Sequence, residues 1–356
     1  MPKIFGPSYL PSSFFAQGLP NFASAEVQGA FYIAGGGVNQ SPPSADIAIV
    51  NVQFQPPQLK PLIHKVYDDN HTIGSLCCSK TGVVMFCGSY PNDPGSYSFK
   101  ARITYAPILG GQFGDEVEIE LPDDIADGTA FFGGVFNERT KQVYFAATMN
   151  YDRNSRKAYV VIDAVRNVYV KTFESPSDNG ESGVLPVADA NGIVYLADGL
   201  DDHIFRYDGV AGDYVDPIIY AGLGIVSGLT VDDDAGVLYA ASTVADITVI
   251  HAFDLNTRAR LYALPPVSGE CVSLNIGESG KSLFCLCKDS SEGLLGISVF
   301  DLSARAVRGG YQLPVPSYAD GLGSMRWNKG KNCLLATFAT LDGQAGYFVV
   351  NNPEDV

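Results

Sequence analysis

The sequence predicts an all-β fold, a single β-propeller built of four-stranded antiparallel blades. Three observations carry that prediction. A short apolar phrase recurs along the chain, the same turn chemistry flanks its copies, and no stretch has the 3.6-residue period of a long amphipathic helix.

The phrase reads FYIAGG (31–36), VVMFCG (83–88), QVYFAA (142–147), IVYLAD (193–198), VLYAAS (237–242), SLFCLC (282–287) and NCLLAT (332–337). Measured at Tyr32, Met85, Tyr144, Tyr195, Tyr239, Phe284 and Leu334, the spacings are 53, 59, 51, 44, 45 and 50 residues. A sustained period near 50 is the signature of a propeller or a similar repeat array. Ahead of the phrase stand polar turns such as Ser79-Lys80-Thr81-Gly82, Asp189-Ala190-Asn191-Gly192 and Asn328-Lys329-Gly330, in which Gly or Asn supplies positive φ.

Behind the phrase comes a third strand: DIAIVNV (46–52), ARITYAPI (101–108), KAYVVIDA (157–164), HIFRYD (203–208), ITVIHAFDL (247–255), LGISVFDL (295–302) and GYFVVN (346–351). A fourth follows in EVEIELP (116–122), NVYVKTF (167–173) and ARLYALP (259–265). Four antiparallel strands make one blade. The units fall at about 22–67, 71–122, 128–175, 181–221, 224–267, 269–314 and 320–356. The last has three strands before Val356, and the segment around Tyr9 to Phe15 is expected to add the fourth, so that residues 1–21 close the ring between the termini. The count is seven, and becomes six if one terminal unit merges with the other.

Composition narrows the function. With 39 acidic against 23 basic residues, a net charge of −16 and no basic run longer than two, the 356-residue chain is a poor partner for nucleic acid or an anionic membrane. No window approaches a transmembrane span, and prolines interrupt the apolar character of MPKIFGPSYLPSSFFAQGLP, so no secretory leader is expected and the cytoplasm is the expected compartment. Seven cysteines without a CxxC fit reduced thiols, and Cys285 and Cys287, on one side of a strand, read as core residues.

Catalytic motifs fail one by one. G-x-S-x-G and HExxH are absent, and GESGKS (277–282) lacks the leading glycine and following helix of a phosphate loop. Glu26, Asn137, Asp189 and Asp232 resemble the calcium ligands of lactonase propellers, but the last three sit in turns between first and second strands, where Asx-turn chemistry explains them. No metal and no cofactor is expected.

A site is expected where the loops entering each first strand meet those between second and third strands. The polar candidates for catalysis there are His71, Thr72, Asp127, Thr129, Glu181, Ser182, Glu270 and Asp320. Tyr90, Tyr97, Phe131, Met149, Tyr151, Ser227, Cys271 and Trp327 are the candidates for a substrate-binding wall. Asp127-Gly128 and Asp320-Gly321 are also ordinary turn pairs, and Trp327 is equally suited to packing between blades.

Laid out in this way, the chain resembles the fungal Malassezia allergen-like propellers. These include the trichothecene-cluster propeller protein and the hetero-Diels–Alderases of tropolonic sesquiterpene biosynthesis. The resemblance rests on the whole-chain layout, second strands such as IVYLAD and VLYAAS, third strands ending in Asp (VVIDA, AFDL, VFDL), and the lack of WD, kelch or YWTD signatures. It implies a cofactor-independent cyclase acting on an apolar or aromatic, terpenoid or tropolone-type small molecule in the central pocket. Such a reaction needs no nucleophile, only two partners held in a near-attack arrangement. The alternatives are a non-catalytic propeller that binds a ligand or protein, and a calcium-dependent lactonase-like hydrolase. The sequence carries no signal for oligomeric state.

Overall fold

Runs of Val, Ile, Tyr and Phe punctuated by Gly, Asn and Asp favour short strands joined by tight turns, and that is how the chain folds. The structure is a computed structural model that describes residues 3–10, 22–27, 30–37, 44–52, 56–66, 72–78, 83–91, 99–109, 112–113, 115, 117–149, 156–176, 184–197, 202–278, 280–289, 294–314, 324–339 and 345–356. Their strands pair antiparallel into five sheets of four strands and two that carry a fifth, short one.

In chain order, sheet I holds Phe22–Val27, Ala30–Gly37, Ser44–Asn51 and Gln58–Val66. Sheet II holds Thr72–Cys78, Val83–Pro91, Phe99–Leu109 and Val117–Ile119, with Gln112–Phe113 added to its third strand. Sheet III holds Thr129–Asn137, Gln142–Met149, Arg156–Asp163 and Val168–Glu174. Sheet IV holds Val187–Ala188, Ile193–Ala197, His203–Asp208 and Asp213–Ile219. Sheet V holds Ile225–Asp232, Val237–Val244, Ile247–Asp254 and Arg260–Ala263, plus Val267–Ser268 paired with its third strand. Sheet VI holds Glu270–Ile276, Ser282–Lys288, Leu295–Asp301 and Ala306–Leu313. Sheet VII holds Met325–Asn328, Cys333–Ala339 and Ala345–Asn351.

The fourth strand of sheet VII comes from the other end of the chain. Lys3–Tyr9 runs antiparallel to Ala345–Asn351, with Lys3 opposite Asn351 and Tyr9 opposite Gly346. The sequence placed this strand later, around Tyr9 to Phe15. The segment used is the one whose Ile4 packs into the core between sheets VI and VII and whose Tyr9 ring meets Phe338 edge-on at 6.3 Å. Residues 11–15 lie outside the described residues.

The third-to-fourth-strand turns explain the terminal Asp of the third strands. Asp163 Oδ1 accepts from the amides of Val165 and Arg166 (both 2.9 Å), Asp208 Oδ1 from Val210 and Ala211 (2.8 and 3.0 Å), and Asp254 Oδ1 from Asn256 and Thr257 (3.0 and 2.6 Å). Asp301 Oδ1 does the same for Ala304 and the Ser303 hydroxyl (both 2.8 Å). The fifth residue of each turn is left-handed: Asn167, Gly212, Arg258 and Arg305 have φ of 57°, 78°, 65° and 53°. One carboxylate thus satisfies the donors that a five-residue turn leaves over.

Two compact units divide the chain. One joins residues 1–9, 181–341 and 346–356; the other joins 10–180 and 342–345. Within the second, the first strands of sheets I, II and III lie side by side in that order; within the first, so do those of IV, V, VI and VII. Apolar cores fill the spaces between neighbouring sheets of a unit. The repeated phrase supplies their bulk, with Tyr144, Tyr195, Tyr239, Phe284 and Leu334 all buried. These three phenols have hydrogen-bond partners: Tyr144 donates to Gln142, Tyr195 to Asp189, and Tyr239 pairs with Tyr262. A single-turn helix, Asp123–Ala126, precedes sheet III with Ile125 buried beneath it. No helix among the described residues is long and apolar enough to cross a membrane.

Candidate functional site

Four of the seven first strands share an irregularity that pairing alone reveals. Their register with the second strand slips between Ile73 and Ser75, Phe131 and Gly133, Val226 and Gly228, and Cys271 and Ser273. Gly74, Phe132, Ser227 and Val272 are therefore bulged residues, each just inside the end reached by an entering loop. A bulge re-aims a side chain. In sheet V it brings Ser227 Oγ within 3.1 Å of Thr243 Oγ1.

From there a hydroxyl chain runs inward. Thr243 Oγ1 lies 2.8 Å from Thr248 Oγ1, which lies 2.7 Å from the Gly269 carbonyl oxygen. A carbonyl only accepts, so Thr248 must donate to Gly269 and accept from Thr243. The Thr243 proton is then used, and its oxygen accepts from the Cys271 amide (3.2 Å) and from Ser227. Ser227 spends its proton inward, on Thr243 or on the Ala241 carbonyl at 3.5 Å, and presents lone pairs outward. Gly269 fits its place because its φ is +94° and a Cβ there would stand 2.8 Å from the Lys288 carbonyl oxygen.

Around this end of sheet V apolar side chains face outward. Ile219, Ile225, Val244 and Ile247 are 60, 50, 62 and 51% exposed. Val244 and Ile247 flank a two-residue turn whose central residues, Ala245 (φ 50°) and Asp246 (φ 60°), are both left-handed without being glycine. Ala in that conformation costs about 1 kcal/mol. On the face opposite Thr243, Ser242 Oγ and His251 Nε2 of the neighbouring strand are 3.4 Å apart, and Tyr220 meets the His251 ring edge-on at 5.6 Å. Burial first, and then the Arg260 charge, pull the imidazole down to about 4, so it is neutral near pH 7. Burial pushes the Tyr220 phenol well up.

The residues singled out from sequence are scattered. Ser227 and Cys271 meet through Thr243. Glu270 opens the first strand of sheet VI, exposed and opposite Lys288. Asp127 is exposed behind the single-turn helix, its amide donating to the Asp123 carbonyl. Thr129 is buried at the start of sheet III, Phe131 is buried edge-to-face on Phe145, and half-buried Met149 packs against the same core. Trp327 packs on Phe284, ring centroids 5.3 Å apart, in the core of sheets VI and VII. Thr72 and Tyr90 lie on strands of sheet II, opposite Ser89 and Lys100. His71, Tyr97, Tyr151, Glu181, Ser182 and Asp320 fall outside the described residues. The sequence missed Thr243, Thr248 and the apolar rim. The signal for the rim was TVADIT (243–248), a turn flanked by apolar residues where polar ones are usual.

Of the residues that resembled calcium ligands, Glu26 lies within the strand Phe22–Val27, and Asn137, Asp189 and Asp232 are turn caps, as the sequence suggested. Asn137 Oδ1 accepts from the Arg139 and Thr140 amides, Asp189 Oδ1 from those of Asn191 and Ile193, and Asp232 Oδ1 from that of Ala235. Among the described residues no group of three or more His, Cys, Asp or Glu is placed to hold a metal ion.

No protein-family model matches the chain, and no curated protein matches it. Solved structures do. A structure described as U3-55K aligns over 93% of this chain and 98% of its own, with a TM-score of 0.60 and 10% identity. Kuenenia stuttgartiensis hydrazine synthase aligns over 58% of this chain and 55% of its own, about half of each, with a TM-score of 0.49 and 11% identity. The fold is that of an all-β propeller of four-stranded antiparallel sheets.

Proposed function

We propose that the chain closes as one ring of seven blades and acts as a cofactor-independent cyclase. Its reaction is a hetero-Diels–Alder cycloaddition on a terpenoid or tropolone-type substrate, as the resemblance to the Malassezia allergen-like propellers implies. The observation that carries this reading is the end of sheet V, where a directional hydroxyl chain terminates at Ser227, with exposed Ile225 opposite Thr243 and exposed Val244 and Ile247 at the adjoining turn. An acceptor beside an apolar rim suits a neutral, largely hydrocarbon ligand with one acidic O–H, such as a tropolone hydroxyl. Holding that group fixes the ring while the rim receives the polyene, and this positioning lowers the barrier to a reaction that needs no nucleophile. His251, neutral and buried, adds no charge that would attract water. Cys77, Cys271, Cys285, Cys287 and Cys333 are free thiols, which suits a reducing, cytoplasmic setting.

The test supplies a tropolone-derived quinone methide and an apolar terpene alkene, with and without protein. The expected result is a faster reaction and one dominant stereoisomer, with Ser227→Ala losing about tenfold in rate. Binding of the substrates with unchanged rate and product ratio would replace the reading with a non-catalytic carrier. Loss of activity on chelation would replace it with a calcium-dependent hydrolase.

A further inference from the structure

Next to that end of sheet V, a cleft of about 280 Å³ opens on the outer half of sheet VI, with Ser268, which pairs with Ile247, on its wall. Its floor follows from pleating. Cys285 lies opposite Ser298 and Cys287 opposite Gly296; Ser298 and Gly296 in turn lie opposite Gly310 and Gln312. Side chains alternate along a strand, so these six residues share one face, and all of them but the fully buried Cys285 line the cleft. Small residues keep the floor low: a Cβ on Gly296 would meet nothing nearer than the Tyr311 carbonyl oxygen at 3.7 Å. At the inner end Cys287 lines the cleft, and its Sγ lies 3.4 Å from that of Cys285. Cys271 faces Cys287 across the neighbouring strand.

We propose that Cys285 and Cys287 form a dithiol site, reached through this cleft, that binds one trivalent thiophilic centre of the class of an organic arsenous acid. In the reaction two As–S bonds form and two As–O bonds break. Each thiol proton leaves with a hydroxide as water, and arsenic stays trivalent. Two sulfurs on one face at 3.4 Å make the second bond intramolecular, and this favours a bidentate centre over a monodentate one. Hydrogen bonds with Cys271 and Cys287, and burial after them, push the Cys285 thiol well up. Thiolate is therefore scarce, and reagents that attack through a free thiolate are disfavoured. The net condensation with an arsenous acid consumes neutral thiols.

The experiment adds phenylarsine oxide to the folded full-length protein. The expected result is one phenylarsenic per chain by mass, the loss of two titratable thiols, reversal by a small dithiol, and slow labelling of the same cysteines by iodoacetamide. Cys285→Ser and Cys287→Ser should each abolish the adduct, whereas the Cys77→Ser/Cys78→Ser double variant should retain it. Ser298→Leu, which raises the floor, should slow formation about tenfold at unchanged Tm. If that variant alters Tm, Gln312→Trp at the cleft serves in its place. An adduct that survives in the Cys285→Ser/Cys287→Ser double variant overturns the proposal. So does a rate equal to that of global unfolding, or one indifferent to filling the cleft.

Discussion

The two ends of sheets IV to VI use hydrogen bonds to opposite purposes. At the end where first strands turn into second strands, carboxylates do the work. Asp189 accepts from two amides and the Tyr195 hydroxyl, Asp233 Oδ1 accepts from the Ala190 amide of sheet IV (2.7 Å), and Asp232 Oδ2 accepts from the Gly280 amide of sheet VI (2.7 Å). Three successive turns are thereby tied together. At the other end a chain of hydroxyls links neighbouring strands, a left-handed Ala stands beside Asp246 in a tight turn, and four aliphatic side chains face outward. Turn-capping carboxylates mark one end, and exposed aliphatic side chains mark the end at which the proposed site lies.

The comparison predicts effects of graded size. Asp189→Ala should be the most damaging, because it strands two amides and a buried phenol. A loss of about 3 kcal/mol is expected in urea unfolding, and a loss below 1 kcal/mol would mean that the turn end is not the stabilising one. Next comes acid. The folded protein keeps His251 neutral down to about pH 4, whereas the unfolded chain protonates it near 6.5. The unfolded state therefore binds more protons in that window, so stability should fall by about 2 kcal/mol between pH 7 and pH 4.5. His251→Gln should flatten the slope. Asp254 and Asp301, held below their ordinary 3.8 by their turn hydrogen bonds, give stability that is lost only at lower pH. The two ends are thus separable by pH.

Thr243→Val, which removes the acceptor of the Cys271 amide and the middle of the hydroxyl chain, should cost about 1–2 kcal/mol by the same unfolding measurement. Smallest in stability is the Val244→Asn/Ile247→Asn double variant. Tm should indicate a change within about 0.5 kcal/mol, while binding of a fluorescent apolar probe should drop sharply. Unchanged probe binding would remove the apolar rim from the site.

What was legible in the sequence was local. The turn caps Asn137, Asp189 and Asp232 and the Asp that ends third strands act on amides two to four residues away, so their role is written in the neighbouring residues. The site was less legible because it depends on pairing. Ser227 and Cys271 were singled out separately, but their link is Thr243, which in sequence is one more β-branched residue of a strand. The outward turn of Ser227 comes from a one-residue register slip that no local pattern announces. Trp327 shows the reverse case: an aromatic near a loop whose surroundings, Phe284 among them, arrive from another sheet.

The strand Lys3–Tyr9 gives the chain a direction in time. Sheet VII pairs residues that are far apart in the sequence, Lys3 with Asn351, so on the ribosome this strand waits without its neighbour while all the residues between them are synthesised. Closing so long a loop is slow. A permuted chain that joins residue 356 to residue 1 and begins instead in the turn at 209–212 would make the same seam an ordinary local hairpin, formed early rather than last.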